Sequence, residues 1–190
     1  LHKQDLLLVD AGAEFEGYAA DITRTFPVSG KFSVEQQAIY NIVLDTQLKL
    51  IAAIKPGVKW EDLQLLSELS ITKGLINLGI LSGDAHKIIA NGEHKLFYMH
   101  GFGHWLGLDV HDAGSYRDSD GNSCSLIPGM VFTVEPGIYI DAKTKGVADK
   151  WKNIGVRIED NILVTEHGCK VLTNALPKTV AELEEIVGSG

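Results

Sequence analysis

An α+β fold is predicted by three features of the sequence: segments of strand period towards both ends, a pair of helical-period segments between them, and no regular alternation of strand with helix. Residues 6–15 and 18–26 read as two strands, joined at Glu16-Gly17 by a two-residue hairpin loop that places glycine at positive φ. Ser33-Val34-Glu35-Gln36 is a capping box, and the helix it opens carries Ile39, Val43, Leu50 and Ile54 on one stripe. Leu44, Leu48 and Ile51 widen that apolar face, and Pro56-Gly57 stops the helix. A second helix is predicted over 60–78, with Leu63, Leu66, Leu69 and Ile76 before Gly79, and a short one over 84–90. Residues 96–111 read as a strand broken by glycines, and 112–128, rich in Asp, Ser, Gly and Asn, as a long surface loop. Strands follow at 130–140 and 154–165, and Thr179-Val180-Ala181-Glu182 caps a closing helix.

Composition narrows the function classes. With 190 residues, 45% of them hydrophobic and 22% charged, the chain has the profile of one globular domain with a substantial core. A net charge of −8 argues against nucleic acid as a partner, because phosphate recognition needs a basic face. No apolar run approaches a membrane span, and no signal-peptide pattern opens the chain. Cys124 and Cys169 form neither a zinc-ligand spacing nor a disulfide framework, so a reducing, cytoplasmic setting is expected. Neither cysteine lies in an activating motif and no Gly-x-Ser-x-Gly elbow is present, which removes the usual covalent hydrolases. The chain starts at Leu1 and enters a core-type strand within a few residues, which reads as a trimmed piece of a longer protein.

Four carboxylates and a histidine cluster are placed among residues that favour burial. In a hairpin turning at Glu16-Gly17, residue 10 faces 23 and residue 12 faces 21, so Asp10 and Asp21 are diagonal neighbours. Such neighbours stand ~7–8 Å apart at the backbone, close enough to hold cations between their side chains. Solvated turn-flanking acids would fit the same pattern, and for this pair both readings stay open. His100, His104 and His111 fall within twelve residues punctuated by Gly101, Gly103 and Gly107. On an extended strand His100 and His104 share a face and His111 joins them only through a bend, which the glycines permit. Three imidazoles together favour ligation or proton transfer. Glu135 and Glu159 lie in otherwise apolar strands; alternation puts Arg157 on the face of Glu159, where it could orient the acids from behind, and points Asp160 the other way.

As a set, Asp10-Ala11-Gly12, Asp21-Ile22-Thr23-Arg24-Thr25-Phe26-Pro27, His100-Gly101-Phe102-Gly103-His104, Val134-Glu135-Pro136-Gly137 and Arg157-Ile158-Glu159-Asp160 resemble the metallopeptidases of the pita-bread fold. That group includes methionine aminopeptidases, prolidases and aminopeptidases P. The text from Met99 to Asp112 is most similar to the aminopeptidases P, and next to the prolidases. The resemblance implies a curved antiparallel sheet with helices on its outside, incomplete at the N-terminus, with residues 1–190 as the C-terminal catalytic part of a longer enzyme. It implies Asp10 as a ligand of one metal, Asp21 and Glu159 as bridges, and His104 and Glu135 as ligands of a second. Two divalent ions would balance the four carboxylates. Manganese is favoured, with cobalt, iron and zinc as the other candidates. The implied reaction is hydrolysis of an N-terminal Xaa-Pro bond by a metal-bridging hydroxide, with peptides carrying proline second as substrates. Glu135 would carry the proton, His100 and His111 would hold substrate and the tetrahedral intermediate, the Trp105 region would contact substrate, and Arg157 would support the ligands.

The resembled enzymes also have a substrate-contacting histidine upstream of the first aspartate, which His2 lies too near Asp10 to be, and a separate N-terminal domain that serves oligomerisation. The parent is therefore expected to be a homo-oligomer and this chain to turn over weakly by itself. Two other readings are a prolidase acting on Xaa-Pro dipeptides, and a pita-bread module that binds without catalysing. The second is disfavoured because all five ligand positions hold competent residues.

Overall fold

The computed structural model describes residues 1–188. Its frame is a pair of antiparallel hairpins laid side by side. In the first, β1 (Leu6–Ala11) pairs with β4 (Ile22–Pro27), and β2 (Glu14–Phe15) pairs with β3 (Tyr18–Ala19) at the tip. One register runs through both ladders, with Asp10 opposite Thr23 and Phe15 opposite Tyr18. The two long strands expected from the sequence are thus interrupted near Asp21. At that level the chains approach so closely that a Cβ on Gly12 would overlap the Ala20 carbonyl oxygen. The turn has φ of 52° at Glu16 and 85° at Gly17, both in the left-handed region that a type I′ hairpin demands.

The second hairpin is broken in the same manner. β5 (Val131–Val134) pairs with β8 (Asp160–Val164), β6 (Gly137–Ile140) with β7 (Ile154–Arg157), and β9 (Cys169–Val171) lies on the outer edge of β8. Val134 stands opposite Asp160 and Gly137 opposite Arg157, so Glu135 falls opposite Glu159 where the ladder opens. Pro136 has no N–H to contribute, and the Glu135 N–H is committed to the Phe102 carbonyl at 2.7 Å. The hairpins are joined where Glu159 N–H donates to the Thr23 carbonyl at 3.1 Å and the Thr25 hydroxyl exchanges hydrogen bonds with the Arg157 backbone.

Residues 96–111 do not form the expected strand. A 3₁₀ turn occupies Glu93–Leu96, and the segment beyond runs beside β5 with one antiparallel bridge, Trp105 to Phe132. The physical reason is Gly103, which lies so near β5 that any Cβ there would overlap the Thr133 carbonyl oxygen. That closeness distorts the pairing, and after Leu106 the chain bends away, with Gly107 N–H turning back to the Asp109 carbonyl.

Helices α1 (Val34–Ala53) and α2 (Trp60–Asn77) lie between the hairpins in sequence, and α1 packs on β5, β6 and β7. Ser33 caps α1 through the predicted box, and Ile39, Tyr40, Val43 and Leu50 form its buried stripe. Leu48 is 48% exposed and so lies outside the apolar face assigned to it, because Thr46 and Gln47 take the inward positions. A short α3 (Ala85–Ala90) and α4 (Val180–Val187), capped by Thr179, stand where the sequence places them. Among the described residues no helix is long and apolar enough to cross a membrane.

One buried anion ties these layers together. Asp160 is fully buried and meets Arg24 Nη2 at 2.8 Å, Lys178 Nζ at 2.6 Å, the Thr173 hydroxyl at 2.7 Å and Gln47 Nε2 at 3.1 Å. Removing one partner of such a network leaves desolvated charge behind. Asp160→Asn is therefore expected to lower unfolding free energy by about 3–5 kcal/mol, read by urea denaturation. A loss within the ordinary surface range would show that the network does not hold the layers.

Candidate metal centre

The breaks in the two hairpins meet, and the acids sit at them. Oxygens of Asp10, Asp21 and Glu159 lie within 4.8 Å of one another, and ligand atoms of His104, Glu135 and Glu159 form a second group of the same span. Glu159 belongs to both. Asp21 also reaches the second group, its Oδ2 lying 3.3 Å from His104 Nε2, while Glu135 Oε1 lies 3.5 Å from the same nitrogen. The five side chains expected as ligands are thus brought together, and Asp10 and Asp21 both face the cluster.

Each side chain is held from behind. His104 Nδ1 donates to the Trp105 carbonyl at 3.0 Å, so Nε2 is the nitrogen turned towards the carboxylates. Asp21 is braced by Asn161, whose side chain accepts from the Asp21 N–H at 3.2 Å and donates to the Asp21 carbonyl. The Thr23 hydroxyl donates to Glu159 Oε2 at 2.6 Å. Arg157 shares the face of Glu159, as alternation predicts, yet its guanidinium reaches forward. Nη2 meets Asp10 Oδ2 at 2.6 Å, Nε donates to the Thr23 hydroxyl at 3.0 Å, and Nη1 donates to the Tyr139 hydroxyl at 3.1 Å.

A cavity of about 580 Å³ opens over the cluster, lined by Asp10, His100, His104, His111, Glu135 and Arg157 among others. His100 Nδ1 donates to the Gly101 carbonyl at 2.8 Å, so Nε2 accepts from the Tyr139 hydroxyl at 2.9 Å. The bend after Leu106 carries His111 back until its ring centroid is 4.3 Å from that of His104, at the exposed rim. Trp105 takes a different place. It is only 8% exposed, stacks on Tyr116 and packs with Trp60 and Phe132, so its ring lies beneath the histidine segment and not on the cavity wall. Tyr139, Thr23 and Asn161 were not singled out from the sequence. Thr23 carried a usable signal, since it shares the Asp21 face of β4 two residues on; Tyr139 and Asn161 read as ordinary strand residues.

Comparison with known proteins agrees with this geometry. The profile of metallopeptidase family M24 matches residues 1–166. The chain belongs to metallopeptidase family M24. It is 50% identical over 189 residues to a Xaa-Pro aminopeptidase of Haemophilus influenzae, covering 98% of this chain and 43% of that protein. With a Xaa-Pro aminopeptidase of Escherichia coli the identity is 47% over 185 residues, covering 96% and 41%. The structure of aminopeptidase PepP from Pseudomonas aeruginosa superposes with a TM-score of 0.96 at 52% identity, over 98% of this chain and 42% of that one. Escherichia coli aminopeptidase P in complex with substrate gives 0.93 at 44% identity, over 100% and 42%. The chain therefore spans less than half the length of these relatives, and its fold is the pita-bread fold.

The electrostatics of this M24 site suit a divalent cation. Burial, reinforced by the charges of Glu135, Asp21 and Asp10 against the opposing Thr23 bond, pushes Glu159 up to about 8. Burial raises Glu135 as well, although His104 and Arg157 pull against it. Burial would lower His104, but its bonds to Asp21 and the Trp105 carbonyl and the surrounding anions outweigh that and lift it to about 9. Among the described residues Glu159 Oε1 is buried with no donor, an acceptor that a cation would satisfy. Four carboxylates and one imidazole form a hard, oxygen-rich donor set.

These shifts predict how the metal-stripped protein responds to pH. Glu159 ordinarily titrates near 4.5, so between about 4.5 and about 8 the unfolded chain gives up a proton that the folded one keeps, and stability falls as pH rises. His104, ordinarily near 6.5, adds stability that is complete below that pH and is lost as pH rises through about 9, the same sign. Urea denaturation of metal-stripped protein is expected to show declining stability across this window, and Mn²⁺ to reverse the trend because the ligands must be deprotonated. Flat profiles with and without Mn²⁺ would contradict the electrostatic account.

Proposed function

We propose that residues 1–190 form the catalytic domain of a metal-dependent aminopeptidase that hydrolyses the bond between an N-terminal residue and a following proline. The observation that carries this is the convergence of Asp10, Asp21, His104, Glu135 and Glu159 into two donor groups sharing Glu159. The kinship to Xaa-Pro aminopeptidases supports the substrate class. Asp10, Asp21 and Glu159 would hold one ion, and His104, Glu135 and Glu159 the other, with Asp21 in reach of both. Manganese fits the donor set, and cobalt, iron or zinc would be accommodated by the same atoms. Bound ions supply Lewis acidity, which activates a water and polarises the scissile carbonyl.

The remaining work falls to side chains. Glu135, on the cavity wall and raised by burial, is placed to take a proton and return it to the leaving amine. His111 at the rim holds the substrate carbonyl region, and His100 beside Glu135, lowered by burial and with its Nδ1–H given to the Gly101 carbonyl, holds substrate as an acceptor through Nε2. Arg157 turns the Asp10 carboxylate inward through a 2.6 Å ion pair, opposing the burial and the Asp21 contact that raise Asp10. Trp105 acts indirectly, its carbonyl setting the His104 ring and its indole supporting the segment from below. A proline in the leaving position has no amide N–H to offer, so selectivity must come from shape and from the substrate's free amine, for which the acid cluster is the natural partner.

The test joins metal content to hydrolysis. Metal-stripped protein titrated with Mn²⁺ by calorimetry is expected to take about two ions per chain, and the loaded protein to cleave Arg-Pro-Pro after its first residue. Cleavage of Gly-Pro alone would make it a prolidase, and absence of binding would overturn the reading. Glu135→Gln is expected to lower kcat at least about 100-fold; an unchanged kcat would remove Glu135 from the proton path.

A further inference from the structure

We infer that Gln64, on α2, is a positioning residue for the histidine segment, an inference that rests on the proposed metal centre and extends it to a helix outside the cavity. In a regular antiparallel pair, two facing residues exchange both N–H to carbonyl bonds. Phe102 and Glu135 complete only one of them. Glu135 N–H donates to the Phe102 carbonyl at 2.7 Å, while the return bond from Phe102 N–H goes to Gln64 Oε1 at 3.0 Å. The same substitution recurs two residues on, where His104 N–H donates to the Thr133 hydroxyl at 3.0 Å instead of to the Thr133 carbonyl. Side-chain acceptors therefore replace the ladder at the two amides that bracket Gly103. His104 carries one of these amides, and His100 lies two residues before the other.

The orientation of Gln64 is itself determined. Its Nε2 donates to Glu68 Oε1 at 2.8 Å, one helical turn on, which leaves Oε1 as the atom facing Phe102. The same Glu68 oxygen lies 3.6 Å from Nε2 of His94, whose ring is buried beneath the segment. Gln64 also lies against the backbone, since a Cβ on Gly101 would come 3.6 Å from its Oε1. The Phe102 ring is fully buried, so no solvent is at hand to replace the acceptor if it is lost. The line from His94 through Glu68 and Gln64 to the Phe102 amide sets where His100 and His104 stand relative to Glu135.

Gln64→Met keeps length and removes the acceptor. The double variant Gln64→Glu/Glu68→Gln keeps an acceptor for the Phe102 N–H and reverses the bond between positions 64 and 68. In the Mn²⁺-loaded protein, Gln64→Met is expected to lower kcat for Arg-Pro-Pro about 10- to 100-fold with KM within about twofold, and the double variant to recover most of the loss. NMR gives a readout independent of turnover. The His100 and His104 ring signals should shift and Phe102 amide exchange should accelerate in Gln64→Met, and both should return towards wild type in the double variant. Unchanged ring signals and unchanged kcat would overturn the inference. Should the wild type bind no Mn²⁺, the proposed function fails, and the NMR comparison alone decides the placement role of Gln64. Should Gln64→Met not fold, Glu68→Ala, which frees the Gln64 amide to rotate, takes its place with ring-signal shifts expected and their absence overturning the inference.

Discussion

A fully buried carboxylate has to be answered by positive charge, and the cations that answer Asp160 come from opposite ends of the chain. Arg24 belongs to the first hairpin and Lys178 to the segment before α4, so the ion network closes the structure around β8. Arg24 does more than neutralise. Its Nη1 donates to the Glu159 carbonyl at 2.6 Å and to the Thr23 carbonyl at 2.9 Å, gripping both hairpins at the level where their ladders open. From the helical side Gln47 donates to the Val134 and Ile158 carbonyls, which flank the same opening. The backbone irregularities that let carboxylates converge are thus satisfied from behind.

Glu159 and Asp160 are neighbours in sequence and opposites in environment. Strand alternation sends one forward and one back. The rearward acid meets two cations, a hydroxyl and an amide; the forward one, 1% exposed, accepts from a threonine hydroxyl and lies among Asp10, Asp21, Glu135 and the His104 ring. Both are buried carboxylates, so burial alone does not mark function. What separates them is whether the protein satisfies both carboxylate oxygens, as it does for Asp160 and does not for Glu159 Oε1. Where it does, the acid is structural; where it does not, the folded chain is prepared for a cation from outside.

Much of this was legible in the sequence, and most of the parts that were not share a cause. The capping boxes at Ser33 and Thr179 and the turn at Glu16-Gly17 depend on local chemistry, and they form where the residues place them. The clustering of Asp10, Asp21, His104, Glu135 and Glu159 was legible because acids and a histidine embedded in apolar text are unusual, and their reading as ligands came from the resemblance to the pita-bread metallopeptidases. The interruptions at Gly12 and at Glu135-Pro136, the loss of a regular strand over 96–111 and the exposure of Leu48 were not. Three of them are decided by a contact with another part of the chain: Ala20 on Gly12, Thr133 on Gly103, and Asp160 drawing Gln47 rather than Leu48 inward. Trp105 shows the same limit. The resemblance implied that the Trp105 region contacts substrate, and its ring packs on Trp60, Tyr116 and Phe132 and does not line the cavity over the acids.

A site of this kind cannot be both regular and functional. An unbroken ladder would commit the backbone groups at this level, where Glu135 stands opposite Glu159 and Gly12 opposite Asp21, to regular cross-strand bonds. Opening both hairpins at one level releases those groups, and each must then find another partner. Glu159 N–H takes the Thr23 carbonyl and Asp21 N–H the Asn161 side chain, and in the segment beside β5 Phe102 N–H takes the Gln64 side chain. The buried polar residues around the centre, with Thr133 and Gln47 added to these, are therefore what the irregularity requires. Each answers a backbone group that regular pairing would otherwise satisfy, so these residues hold the level at which Asp10, Asp21, His104, Glu135 and Glu159 converge.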